Sequence, residues 1–191
     1  MIQILSLWLS LFFAFTGGYS VYFAYMKFYA NKPWKLRIDE NFRPSVAILI
    51  PTHNEAEIIE SKLKNVNEVS YPREKIEVIL ADDASTDETL TKVCDFTKNH
   101  PELNIKVVKQ NSRGGKAKVL NASLSACTND IIVVSDADSF WHAGILHKAL
   151  PYLSDPMIGA VTGSGVLNNP SGSWVTKSET NYLKTTSLIR L

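Results

Sequence analysis

Ile131-Ile132-Val133-Val134-Ser135-Asp136-Ala137-Asp138 is the stretch on which the reading of this chain turns. A short β-branched run bounded by polar residues reads as a buried strand of a parallel sheet. Two carboxylates separated by one residue then emerge at the strand's carboxyl end, where open α/β sheets bind their ligands. In extended backbone, positions i and i+2 face the same side, so Asp136 and Asp138 can reach one hard cation. A cation held there together with a diphosphate is an electrophilic handle on an activated leaving group. Taken alone, an Asp-x-Asp after a strand is equally a solvated turn with an Asx cap. The neighbouring loops decide between the two.

Working outward, strands alternate with helices. Val46 to Ile50 reads as a strand, and Ala56 to Asn67 as a helix with Ile59, Leu63 and Val66 on one stripe. Ile76 to Ala81 is the second strand. Ser85 with Glu88 three residues on has the pattern of a capping box, and Leu90, Val93, Cys94 and Thr97 supply the inner face of the helix it opens. Ile105 to Val108 is a third strand, and helix Lys116 to Cys127 carries Ala117, Leu120, Leu124 and Cys127 at helical spacing. Ile131 to Val134 is the fourth strand; a helix through Ile145, Leu146, Ala149 and Leu150 follows, and Met157 to Thr162 is expected as a fifth strand. This order implies right-handed βαβ crossovers and a mostly parallel sheet with helices on both faces. After it, Gly163 to Ser173 is rich in Gly, Asn and Ser, and the tail from Trp174 is read as a packing or membrane-surface helix.

The amino-terminal end belongs to a different solvent. Residues 1–26 carry no charge and include Trp8, Phe12, Phe13, Phe15, Tyr19, Tyr22, Phe23 and Tyr25. The run exceeds the roughly 20 residues that cross a hydrocarbon core as a helix. A signal peptide would need a basic start and a small-residue cleavage site, whereas the first charge is Lys27. Lys27, Lys32, Lys35, Arg37 and Arg43 follow the span, opposed only by Asp39 and Glu40, which predicts that the remainder stays in the cytoplasm. The domains expected are thus a transmembrane helix over 1–26, a basic juxtamembrane linker over 27–44, a ligand-binding α/β domain over 45–165 and an incomplete acceptor-side region over 166–191. The 191 residues carry a net charge of +1, which gives no basic field for nucleic acid. Cys94 and Cys127 have no metal or disulfide pattern and are expected as small buried residues.

Three polar segments fall at the carboxyl ends of successive strands: Pro51-Thr52-His53-Asn54-Glu55, Asp82-Asp83-Ala84-Ser85-Thr86-Asp87 and Asp136-Ala137-Asp138. The first opens a helix, where free amides and the dipole favour an anion. Between the second and third lies Arg113-Gly114-Gly115-Lys116. The set resembles the glycosyltransferase family 2 domain, a Rossmann-like nucleotide-sugar-binding fold called GT-A. The family's Pro-x-Tyr/His-Asn-Glu matches Pro51 to Glu55, its Asp-Asp-x-Ser-x-Asp matches Asp82 to Asp87, its Lys-Ala-x-x-Leu-Asn matches Lys116 to Asn121, and its Asp-x-Asp matches Asp136 to Asp138. The resemblance covers residues 44–165 and extends to the anchor, which many membrane glycan synthases of the family share.

That resemblance implies a membrane-anchored, inverting transferase that takes a sugar from a UDP-sugar and hands it to a glycan or lipid acceptor. Pro51, Thr52, His53, Glu55, Asp82, Asp83, Arg113, Lys116 and Asp136 would bind the nucleotide-sugar, with Glu55 and Asp83 accepting from the base and Arg113 and Lys116 meeting the diphosphate. Asp138, with Asp136, would bind Mg²⁺ or Mn²⁺. Trp141 packs either against the sugar or in the core, and His142 and His147 read as surface or packing residues. Neither the family's Thr-Glu-Asp segment nor its Gln-x-x-Arg-Trp motif follows, and Glu179 is the one acidic residue after Asp155, so the catalytic base is not assigned within the chain. A non-catalytic nucleotide-sugar-binding subunit is the alternative. A nucleotidyltransferase would need a Gly-rich loop after the first strand, which Pro51 to Glu55 does not supply.

Overall fold

The computed structural model describes residues 2–30 and 35–163. The tail helix, Glu179 and the region 166–191 lie outside the described residues. The amino-terminal unit is α1, Ile2–Ala30, 29 residues and about 43 Å long at 1.5 Å per residue. Its apolar side chains are exposed all round, and it is long and apolar enough to cross a membrane. Hydroxyls along it bond back into the helix: Thr16 Oγ1 donates to Phe12 O (2.7 Å) and Ser20 Oγ to Thr16 O (2.8 Å), which satisfies them without water. The helix runs past residue 26, carrying Lys27 in its last turn, where a cation meets the negative end of the helix dipole and gives the helix no reason to stop.

The second unit, Arg37–Val161, is a four-stranded, fully parallel sheet. Strands β1 (Val46–Thr52), β2 (Ile76–Asp82), β3 (Asn104–Lys109) and β4 (Ile131–Val134) lie in the order β3-β2-β1-β4. Val46 pairs in register with Ile76 on one side and Ile131 on the other, so the chain reverses its direction of travel between β1 and β4. Helices α2 (Ile59–Asn67), α3 (Thr89–Asn99) and α5 (Ile145–Ala149) cover one face, and α4 (Lys116–Ala126) the other, as right-handed crossovers require on either side of a reversal. The thicker core joins Val46, Ile48 and Ile50 of β1 and Val78 and Leu80 of β2 to Ile59, Leu63, Val66, Val93, Phe96 and Leu146. Opposite, Ala47, Leu49 and Ile79 meet Leu120 and Cys127. Each large aliphatic in the first core contributes about 1.5–3 kcal/mol by its burial.

Several expectations change. β4 is buried on one face only: Ile131 and Val133 join the core while Ile132 (39% exposed) and Val134 (53%) do not, because α4 packs over β1, β2 and β3. Residues 157–162 form no strand; the Asp155 carboxylate takes the Met157 amide (2.9 Å) and turns the chain. The capping box at Ser85 and Glu88 does not form. Ser85 Oγ instead accepts from Asn54 N (2.9 Å), and α3 begins later, with Asp87 Oδ1 accepting from Thr89 N (3.0 Å). Phe96 with Val93 forms the inner face of α3, and Cys94 is exposed. In α4 the buried side chains are Val119 and Ser123; Leu120 is half-buried, and Ala117 and Leu124 face outward. Upstream of β1, the segment from Arg37 lies on the domain: Arg37 N donates to Asp155 Oδ2 (2.8 Å) and Tyr71 OH to Pro44 O (2.6 Å).

Candidate functional site

The reversal between β1 and β4 opens a crevice at the carboxyl edge, the ligand position of open α/β sheets. Every segment singled out from sequence ends there. The ladder carries the first loop onto the second: Asp83 N donates to Thr52 O (2.9 Å) and buried Thr52 Oγ1 reaches Ala81 O (3.4 Å). Pro51 pairs with Ala81 in the last rungs. His53 Nδ1 lies 2.8 Å from Asp83 O, so that nitrogen carries the proton. Asn54 adopts φ +57°, which turns its amide to Ser85 and its Oδ1 to the Thr86 amide (2.8 Å). Glu55 N donates to Thr89 Oγ1 (2.8 Å), and the Glu55 side chain, half-buried, has no hydrogen-bond or ion-pair partner among the described residues.

Asp82 and Asp83 both lie inside the protein. Asp82 Oδ2 accepts from Ser85 N (3.1 Å), while Oδ1 is buried without a partner. Asp83 accepts from Gly114 N and Gly115 N, one on each oxygen, both at 2.7 Å. The Gly114 bond, seconded by that of Gly115 and by the charge of Arg113, holds this carboxyl below the usual aspartate range despite burial. Gly115 sits at φ +85°, a conformation that favours glycine, and caps α4. Asp83, expected to read a base, is thus first of all the anchor of the Gly114-Gly115 loop. Arg113 precedes that loop on the surface, and Lys116 closes it with an ion pair to Asp136 Oδ1 (2.5 Å). One unbroken line of contacts runs from His53 through Asp83, Gly114, Gly115 and Lys116 to Asp136.

In the Asp-x-Asp loop Ser135 and Ala137 point inward and are buried, which leaves Asp136 half-exposed and Asp138 exposed. Beneath it lies a residue that sequence reasoning passed over. Lys62 of α2 is fully buried, and its Nζ donates to Ser135 Oγ (2.6 Å) and to the carbonyl of Ser139. Burial pushes its pKa down to about 8 against the opposing pull of the Asp136 and Asp138 carboxylates. The signal was present: positions 59, 62, 63 and 66 form one helical stripe, and a lysine among its apolar members is not a surface lysine. Trp141 joins the core and stands with its ring centre 4.6 Å from Lys62 Nζ. Its main chain is held by Asn65, which accepts from Trp141 N (2.7 Å) and donates to Trp141 O (2.9 Å). His142 is exposed and His147 packs on the Tyr71 ring.

Comparison with known proteins places this geometry. A family model described as glycosyl transferase family 2 matches residues 47–190. The chain belongs to that family. Over 168 residues, 86% of this chain and 39% of the relative, it is 30% identical to a probable glycosyltransferase, YdaM, of Bacillus subtilis. Among solved structures, the mannosyltransferase PcManGT from Pyrobaculum calidifontis, in complex with GDP-Man and Mn²⁺, matches at TM-score 0.75 and 39% identity over 79% of this chain and 44% of its own. TarS 1-349 of S. aureus in complex with UDP-GlcNAc matches at TM-score 0.50 and 27% identity, over 55% of this chain and 29% of that one. The chain therefore spans about two-fifths of the length of YdaM and less than half of the solved mannosyltransferase.

For a family 2 domain, the donor set at the crevice suits a hard divalent cation. Asp138 has no hydrogen-bond or ion-pair partner among the described residues, and Asp136 has only Lys116. Among these residues no group of three or more ligating side chains exists. Two carboxylates on one loop cannot fill an octahedron, but Mg²⁺ and Mn²⁺ sites of this kind take their remaining oxygens from water and substrate phosphates. The arrangement can therefore hold a cation in common with a diphosphate, with Lys116 beside it as a positive charge.

Proposed function

We propose that this chain carries the donor-binding part of a membrane-anchored glycosyltransferase that takes a sugar from UDP-sugar and delivers it to a glycan or lipid acceptor with inversion. The observation that carries the reading is the open pair Asp136 and Asp138 at the reversal of the sheet, with Lys116 beside it. Bound Mg²⁺ or Mn²⁺ there supplies charge neutralisation to the departing nucleoside diphosphate. Lys116, freed from Asp136, and Arg113 take phosphate oxygens, while Asp136 lies within reach of the ribose or the metal. Pro51 and Thr52 shape the floor of the base pocket, His53 and Asp82 orient its loops, and Glu55 with Asp83 accepts from the base. A carboxylate acceptor suits the imide N–H of uracil and the N1–H edge of guanine, and opposes the ring acceptor of adenine. Uracil is the base assigned, consistent with the UDP-GlcNAc complex of TarS. The complex of the mannosyltransferase with GDP-Man makes guanine the competitor to test.

The apolar helix α1, followed by basic residues, supports a single span with the α/β domain on the cytoplasmic side, next to membrane-borne acceptors. The test is calorimetric titration of the detergent-purified chain with UDP, GDP and ADP, in Mn²⁺ and in chelator. Metal-dependent binding of UDP in preference to GDP and ADP is expected. Preference for GDP would overturn the uracil assignment, and no metal-dependent binding of any nucleotide would overturn the donor site.

A further inference from the structure

Lys62 is the largest side chain buried without any exposure in this domain, and the donor site as described makes no direct use of it. A leucine or methionine would fill the same stripe of α2 without the desolvation cost of an ammonium. What the ammonium does is visible in its contacts. Ser135 and Ser139, the two residues to which Nζ donates, are those immediately before and after Asp136-Ala137-Asp138. Ala137, between the two aspartates, is packed into the core. The loop is thereby tied at both ends and seated at its centre, and its two aspartates keep their exposure, Asp136 in part and Asp138 more fully. One turn further along α2, Asn65 fixes the main chain of Trp141 from both sides. The helix serves as a template for residues 135–141.

We propose that Lys62 is the positioning residue of the Asp136-Ala137-Asp138 loop, tying Ser135 to Ser139 so that both carboxylates meet one divalent cation. The inference rests on reading that loop as the cation site. It makes a prediction of unusual sign. An ammonium close to two carboxylates repels an incoming cation, so by charge alone its removal would tighten metal binding. Loss of the loop's geometry weakens it, and removal of supporting contacts around a metal site typically costs about 10–100-fold in affinity. The direction of change therefore separates a positioning lysine from a bystander charge.

The experiment measures Mn²⁺ affinity of the full chain in detergent from the electron paramagnetic resonance of free Mn²⁺, with UDP present and absent. For Lys62→Met, Mn²⁺ binding is expected to weaken by at least about tenfold, with UDP affinity in chelator and the melting temperature close to wild type. Unchanged or tighter Mn²⁺ binding would overturn the proposal. Should Lys62→Met fail to fold, Ser135→Ala, which leaves the lysine its Ser139 carbonyl, carries the test. A loss of about threefold or more is expected from the removed hydrogen bond, and an unchanged affinity would overturn the tie. If both variants fold, adding Ser135→Ala to Lys62→Met costs nothing further, whereas additive losses contradict a shared mechanism. Failure of the site itself reads differently: wild-type protein that binds no Mn²⁺, or whose Mn²⁺ binding survives Asp138→Ala, removes the cation assignment.

Discussion

Asp82 ends β2 and Asp83 follows it; Asp136 and Asp138 follow β4, at the same edge of the same parallel sheet. The first pair is buried, with Asp83 bonded on each oxygen to a glycine amide and Asp82 to Ser85. The second pair faces the crevice, and only Asp136 is engaged, by the charge of the exposed Lys116. The difference lies in what lies opposite each pair. Backbone amides of the loop before α4 reach into the β2 end and claim the Asp83 carboxylate as structure, while the Ser85 amide takes Asp82. The β4 end is supported from behind, by Lys62 and Ala137, so its carboxylates remain available to a ligand. Two acidic motifs that look alike in sequence thus differ in how far the protein itself engages them.

The comparison breaks most sharply at Asp138. Asp138→Ala should lower metal-dependent UDP affinity by at least about 100-fold, the upper end of what supporting residues cost, and leave the melting temperature close to wild type. A calorimetric titration beside a thermal melt measures both, and unaltered affinity would contradict the metal assignment. Asp83→Asn should do the reverse, lowering the melting temperature well beyond Asp138→Ala because an amide offers one acceptor to two glycine N–H groups. The same variant sharpens the comparison through acid. With its folded pKa depressed, Asp83 contributes stability that is present above the usual aspartate range and is lost as pH falls through the folded value. Melting curves at successively lower pH should therefore decline less steeply for Asp83→Asn than for wild type; parallel declines would remove Asp83 from the structural role. The smallest effect belongs to Lys116→Ala. Stability should stay within about 0.5 kcal/mol, as for exposed ion pairs generally, while UDP binding weakens several-fold and becomes less sensitive to salt. A stability loss well above that bound would mean that the pair with Asp136 is architectural.

Much of this was legible before any coordinates. Parallel strands buried on both faces announce themselves as continuous apolar runs, and β1 and β2 begin where the sequence placed them. The polar segments at their ends mark the crevice because sheet topology gives those ends one edge. What escaped reading depended on partners distant in sequence. Ser85 has the right spacing for a cap, yet its hydroxyl is taken by the Asn54 amide, 31 residues away, and α3 starts late as a result. Residues 157–162 have strand composition, but a strand exists only by pairing, and Asp155 folds their start into a turn. Cys94 and Phe96 are two positions apart, so a small error in the phase of α3 exchanged an exposed residue for a core one. Lys62 was missed for a plainer reason: a charged residue is read as solvated unless its place on the apolar stripe is checked.

The line of contacts from His53 to Asp136 has a consequence for motion. Its links join one loop to the next, and three of the four set a side chain of one segment against the main chain of another, so that no segment swings away without breaking its neighbour's bond. Such loops open as one cooperative unit, with a shared free energy of local unfolding. Amide exchange at Asp83, Gly114 and Gly115 should then change together, by one common factor, when a ligand draws Lys116 away from Asp136, so that the far side of the crevice registers an occupant it never touches.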